Sequence, residues 1–247
     1  MPVQAADLPN AMRRIVVERF FGPSPPEGMR LLFHPDRAFQ AAVVHEHWQF
    51  LRGFPRWVGA VMHGTPHLDV IEYEVENLYG ELVHDPMAEN GHYRLVLEAG
   101  IEAGLTREEI LNGTPHPALA RALDDWYAIA RDRPWVENMA AVHGTEMLAD
   151  QKLKEIPGYS LPYQMGDAAF LDRSGLTEKG RRFLATTRAD TEHAGRAADL
   201  VAKYATRPGE ADAVLATFRR SMDNMGLYME ALAARTLEYR SRFGGGP

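Results

Sequence analysis

Residues 36–62 carry the pattern that most restricts the fold of this chain. Apolar side chains recur there at three- and four-residue steps, which is the spacing of one face of an α-helix. The recurring residues are Phe39, Val43, Phe50, Phe54 and Val58. The run predicts one long helix with a buried face. No segment shows the sustained alternation of apolar and polar residues that is typical of strands, so we expect an all-α protein.

Turn-forming residues divide the rest of the chain into further helical segments. The breaks lie near residues 22–26, 113–115 and 156–175. Helices are predicted over residues 9–20, 66–84, 90–103, 117–131, 134–154, 177–205 and 209–241, with a short one that begins at a capping box at Thr106. The length suits one core, which predicts a single helical domain over residues 1–247 with about seven to nine helices.

Composition removes several classes of function. The net charge of −7 is spread along the chain, whereas a nucleic-acid partner requires a basic face. No apolar run approaches the roughly 18–20 residues that span a bilayer, and no signal peptide is visible, so we expect a cytoplasmic protein with no membrane partner. The chain has no cysteine, which excludes thiolate catalysis and iron–sulfur clusters. A tightly held metal must therefore rely on His, Asp and Glu, which suit iron or manganese.

Two acid-and-histidine motifs place metal-ligand types on one face of a helix. Glu81 and His84 form a Glu-x-x-His pair, and Glu74 lies two turns earlier on the same face. Asp190 and His193 form an Asp-x-x-His pair on another predicted helix. Each motif alone also occurs often as a pair of surface residues.

A third motif places Glu146 one turn after His143, among apolar neighbours. A buried carboxylate without a partner costs several kcal/mol, so Glu146 must pair, take up a proton or bind a cation. The simplest alternative to a metal is an ion pair with Lys152 or with an arginine of another helix. Because facing helices of a bundle can each supply one or two ligands, three such motifs together favour a carboxylate-bridged metal site.

Residues 40–200 resemble the family of heme-oxygenase-like diiron oxidases, whose fold group includes pyrroloquinoline-quinone synthase C and thiaminase II. The matching stretches are Phe50–Pro55, Glu76–Glu81, His92–Leu105, Glu146 and Asp190–His193. The resemblance implies a heme-oxygenase-like helical bundle that binds Fe(II), two ions per site, and uses dioxygen as co-substrate. Thiaminase activity is disfavoured because that branch uses a cysteine nucleophile.

The resemblance also implies a set of metal ligands. These are Glu81, His92, Glu146, Asp190 and His193, with His84 as the alternative to His92 because some members use a closer Glu-x-x-His pair. The family's final motif is His-x-x-x-Asp-x-x-His, and this chain has Thr186 at its first histidine. A hydroxyl is a poor iron ligand. The second iron is therefore expected to be weakly held, with His143 as an alternative imidazole, unless the site is metal-free as in the quinone synthase branch.

The implied activity is that of a non-heme iron oxidoreductase, an oxidase or oxygenase that acts on a small amino-acid-like or carboxylate metabolite in a biosynthetic pathway. Arg52, Arg56 and Lys152 are candidate partners for a substrate carboxylate, and His45 is a candidate for the cavity wall, although a core or surface role is the plainer reading of His45. The alternatives are a metal-free oxidase and a non-catalytic helical binding protein with a decayed site. Whether the chain forms a homodimer is left open.

Overall fold

The computed structural model describes residues 3–84, 91–161, 171 and 175–243, except for the side chains of residues 187–194. Ten α-helices lie in this part of the chain and no strand occurs in it. The helices are α1 Leu8–Val16, α2 Glu27–Leu32, α3 Arg37–Gly64, α4 Leu68–Leu82, α5 His92–Ala103, α6 Arg107–Asn112, α7 Pro117–Asp132, α8 Trp135–His143, α9 Glu178–Tyr204 and α10 Glu210–Phe243. None of the described helices is long and apolar enough to cross a membrane.

The expected all-α fold is confirmed, and the expected number of about seven to nine helices is slightly too low. The helix that the sequence did not predict is α2. It has six residues and follows the proline-rich break, so it is too short to show helical periodicity.

Helix α3 lies at the centre of the bundle and packs against α5, α7, α8 and α10. Asp36 caps its first turn, because its carboxylate accepts a hydrogen bond of 2.7 Å from the backbone N–H of Phe39. Four residues of the periodic run, Phe39, Phe50, Phe54 and Val58, are buried in the main core. The long helix predicted over residues 36–62 is therefore present and buries the predicted face.

Helix α10 closes the bundle against α3, α7 and α8. Its residues Met222, Met225 and Met229 are buried within the chain. Ser221 ties three helices together, because its hydroxyl accepts from Trp126 Nε1 at 2.9 Å and donates to the Ala141 carbonyl at 2.6 Å. The apolar face of this helix is thus used for packing inside one chain.

The helix predicted over residues 134–154 is wrong in its second half, because α8 ends at His143. A Cβ atom at Gly144 would lie 2.5 Å from the Phe218 ring, so only glycine allows α10 to approach this closely. Two short 3₁₀ helices follow, Glu146–Ala149 and Gln151–Glu155. Asp150, between them, forms a buried ion pair of 2.7 Å with Arg13 of α1. Glu146 is therefore positioned by the first of these 3₁₀ helices and not by a continuation of α8.

Candidate active site

A cavity of about 150 Å³ lies between α3, the start of α5, the turn after α8, α9 and α10. Its walls are mostly apolar, with Phe39, Phe50 and Phe54 on one helix and Met225 and Met229 on another. The polar residues that line it are His47, Glu81, His92, Thr145, Glu146, Thr186 and Tyr228. Four positions named by the sequence, Glu81, His92, Glu146 and Thr186, therefore meet at one cavity.

Glu81 and His92 form the first polar group of the cavity. Glu81 lies in the last turn of α4 and His92 is the first residue of α5, and Nδ1 of His92 is 2.8 Å from Oε1 of Glu81. Gly91, just before His92, has a φ of 78°. A Cβ atom there would lie 2.9 Å from the Glu81 carbonyl oxygen. The left-handed conformation and this close approach both require glycine, which brings the two side chains together.

The other candidate ligands lie elsewhere. His84 is exposed and does not line the cavity, so the structure places His92 beside Glu81 and leaves His84 at the surface. Asp190 and His193 belong to α9, but their side chains lie outside the described residues. Thr186 is buried in the cavity wall, and its hydroxyl donates a hydrogen bond of 2.7 Å to the Phe183 carbonyl of its own helix.

Glu146 is held by two neighbours on the far side of the cavity wall. Its Oε1 lies 3.3 Å from Nδ1 of His143 and accepts a hydrogen bond of 3.4 Å from Asn77 Nδ2. The ion pair with Lys152, the alternative to a metal, is not formed between the described residues, where Lys152 is exposed. Oε2 of Glu146 is buried and has no hydrogen-bond partner in the described part of the chain. A buried carboxylate oxygen in this state favours a nearby cation.

His143 is the centre of a buried chain of charged groups. Its Nε2 lies 2.9 Å from Oε2 of Glu74, and its side chain is only 1% exposed. Burial lowers the pKa of His143, but the negative charges of Glu74 and Glu146 outweigh burial and raise it to about 10. His143 is therefore a cation at neutral pH. Carboxylates engage both of its ring nitrogens, so its place in this arrangement is to hold Glu146.

His47 lines the cavity, whereas the sequence favoured His45, and only one of the two can face inward because residues two apart lie on different sides of a helix. His45, considered for the cavity wall, is buried away from it and contacts Tyr239 Oη at 2.8 Å. His47 lies four residues after Val43 and three before Phe50, so it shares the apolar face of α3. This spacing predicts that His47 faces the same side of α3 as Val43 and Phe50. Burial and the neighbouring His92 lower the pKa of His47 to about 4, so the ring is neutral.

Among the described residues, no group of three or more His, Asp and Glu side chains is arranged so that it could hold a metal ion. The donor chemistry nevertheless fits iron, because the Glu81 and Glu146 carboxylates and the His92 imidazole line one cavity. The unpartnered Oε2 of Glu146 supports the same fit.

Comparison with known proteins shows which family the chain belongs to. Residues 41–225 match the family model described as iron-containing redox enzyme, and the chain belongs to that family. It is thus an oxidoreductase with a heme-oxygenase-like fold.

Two similar solved structures support the fold. One is a domain of unknown function with a heme oxygenase-like fold from Shewanella denitrificans, 16% identical, covering 98% of this chain and 94% of that chain with a TM-score of 0.61. The other is a CADD-like protein of unknown function from Nostoc punctiforme, 18% identical, covering 93% and 97% with a TM-score of 0.65. At these identities the likeness shows the fold alone. No curated protein matches the sequence.

Proposed function

We propose that this protein is an iron-dependent, dioxygen-activating oxidase or oxygenase of a small metabolite, with iron at the polar wall of the cavity. The observation that carries the proposal is Glu146, whose Oε2 is buried without a partner in the described residues. This carboxylate shares its cavity with the Glu81–His92 pair. Membership of the iron-containing redox enzyme family supports the same conclusion.

Glu81, His92 and Glu146 would hold the metal together with Asp190 and His193. The last two follow Thr186, a residue of the cavity wall, by one and two helical turns in the sequence. Because the Thr186 hydroxyl is bonded to its own helix, one metal position lacks a strong donor. We therefore propose one firmly held iron and a second that is weakly held.

Bound iron would supply a redox-active ion at which dioxygen is reduced while the substrate is oxidised. The chain itself supplies position and charge. The buried His143 cation, held by Glu74, balances part of the negative charge of Glu146 and orients its carboxylate. The apolar walls, which include Phe39, Phe50 and Phe54, exclude water and bind the body of the substrate.

The substrate class expected from the resemblance stays a prediction. Arg52, Arg56 and Lys152, the candidate partners of a substrate carboxylate, are exposed and do not line the cavity. Within the described residues, no lysine or arginine lines it at all. A carboxylate or amino-acid-like substrate would therefore depend on the metal itself for its countercharge.

Anaerobic loading with Fe(II), followed by metal analysis and thermal unfolding, tests the proposal. We expect one or two irons per chain and a raised Tm, and oxygen consumption once a substrate is supplied. Glu81→Gln should lower the iron content. The matched control is Glu76→Gln, an exposed glutamate of the same helix, which should leave the iron content unchanged. Absence of iron together with an unchanged Tm would overturn the proposal.

Two alternatives predict different results for Glu146→Gln. A non-catalytic binding protein with a decayed site consumes no oxygen with any substrate, either before or after this substitution. A metal-free oxidase consumes oxygen without iron, and chelators leave its rate unchanged. The iron-dependent enzyme loses both iron and oxygen consumption.

A further inference from the structure

We propose that His47 orients the substrate, and that the cavity takes an apolar molecule that carries one uncharged hydrogen-bond acceptor, such as a carbonyl oxygen. The inference deepens the proposed function and rests on it only in taking this cavity as the substrate site.

The His47 ring is fixed in the cavity wall by its neighbours. It stacks on Phe50 with a centroid distance of 5.5 Å and an interplanar angle of 13°. The Phe183 ring contacts it from α9, also at 5.5 Å. Tyr228 Oη lies 3.2 Å from Nδ1. Two aromatic contacts and one hydrogen bond therefore hold the imidazole in one orientation.

The Tyr228 contact indicates which ring nitrogen carries the proton, because the buried phenol O–H has no other hydrogen-bond acceptor among the described residues. Burial raises the pKa of Tyr228 well above its usual value, so the phenol keeps its proton and can donate it to Nδ1 of His47. A neutral imidazole that accepts at Nδ1 carries its hydrogen on Nε2. Nε2 of His47 has no hydrogen-bond partner in the described part of the chain. This N–H group is available to a bound molecule.

The remaining polar groups of the cavity wall are already engaged. The Thr186 hydroxyl donates to the Phe183 carbonyl, and the Thr145 hydroxyl donates to the Val142 carbonyl at 2.7 Å. Glu81, His92 and Glu146 belong to the proposed metal site. Among the described lining residues, His47 is thus the donor left for the substrate.

The character of the cavity defines the class of molecule. Its walls are apolar along α3 and α10, and burial of apolar surface favours an apolar body. A free amino acid is disfavoured, because neither its ammonium nor its carboxylate finds a charged side chain outside the proposed metal site among the described residues. A neutral acceptor oxygen needs one N–H donor, which His47 supplies.

Three probes of similar size test the inference on the iron-free protein by isothermal titration calorimetry. Acetophenone has a carbonyl acceptor, ethylbenzene lacks one, and phenylacetate carries a carboxylate. We expect acetophenone to bind about tenfold more tightly than ethylbenzene, which corresponds to one net hydrogen bond, and phenylacetate not to bind. Stronger binding of phenylacetate than of acetophenone, or no binding of either neutral probe at millimolar concentration, would overturn the inference.

His47→Leu should abolish the preference for acetophenone while ethylbenzene still binds. The matched control is His63→Leu, the same substitution at an exposed position of α3, which should leave the preference intact. If His47→Leu does not fold, Tyr228→Phe serves in its place and should reduce the preference, because the proton on Nε2 is no longer fixed. A preference that survives in the folded His47 or Tyr228 variant contradicts the inference.

The outcome is separable from that of the proposed function. Probe binding is measured without iron, so a His47-dependent preference in a protein that binds no iron leaves the inference standing and removes the oxidase. Normal iron loading with no acetophenone preference removes the inference and leaves the oxidase.

Discussion

In the described part of the chain, two glutamates of helix α4 each contact a histidine of another helix. Glu81 and His92 are 2.8 Å apart, with side chains 13% and 8% exposed, at the cavity. Glu74 and His143 are 2.9 Å apart, with side chains 0% and 1% exposed, behind its wall. Each pair joins a carboxylate to an imidazole, and the two pairs differ in whether a ligand can reach them. We call Glu81–His92 the cavity pair and Glu74–His143 the sealed pair. The cavity pair is accessible to a ligand, whereas the sealed pair holds a buried positive charge and orients Glu146.

The largest expected effect on stability comes from removing the glutamate of the sealed pair. Glu74→Ala leaves the His143 cation without its closest partner, so we expect a loss of about 3–5 kcal/mol in the free energy of unfolding, measured by urea denaturation. Glu72→Ala, an exposed glutamate of the same helix, should change it by less than about 0.5 kcal/mol. A loss at Glu74 no larger than the loss at Glu72 would show that the pair contributes little.

The sealed pair should also make the stability of the protein depend on pH. The pKa of His143 is raised from 6.5 to about 10 in the folded protein. A raised pKa contributes stability that is complete below pH 6.5 and is lost as the pH rises through 10. Urea unfolding of the iron-free protein should therefore show a fall in stability over this range. The fall should be smaller in Glu74→Gln, and an equal fall in both proteins would refute the assigned cause.

A smaller effect is expected at Thr186 on the cavity side. Thr186→His places an imidazole at the position where the family motif has one, and we expect the second iron to bind about tenfold more tightly, or more. Anaerobic Fe(II) titration measures this change. Thr187→His, at the next residue of α9, is the control. An unaltered iron stoichiometry and affinity in Thr186→His would show that this position does not take part in metal binding.

The fold was largely predictable because helical periodicity is a local property. The helix predicted over residues 36–62 is observed at Arg37–Gly64. The prediction failed after His143, where the helix ends and Gly144 lies against the Phe218 ring of α10. That contact joins residues far apart in the sequence, and no local pattern encodes it.

The candidate site was also predictable only in part. Resemblance indicated Glu81, His92, Glu146 and Thr186, which the structure brings to one cavity, although their role as ligands stays a prediction. The Glu74–His143 contact spans 69 residues and was not predictable from spacing. His47 was predictable from the helical register of Val43 and Phe50, but His45 was named as the candidate for the cavity wall.

We propose that Glu81 and His92, and not the nearby exposed His84, bind iron. Anaerobic equilibrium titration with Fe(II) of His92→Ala and His84→Ala tests it most directly. We expect His84→Ala to bind iron as the wild type does, and His92→Ala to bind it more than about 100-fold more weakly. Equal affinities in the two variants, or loss of iron in His84→Ala alone, would contradict this account.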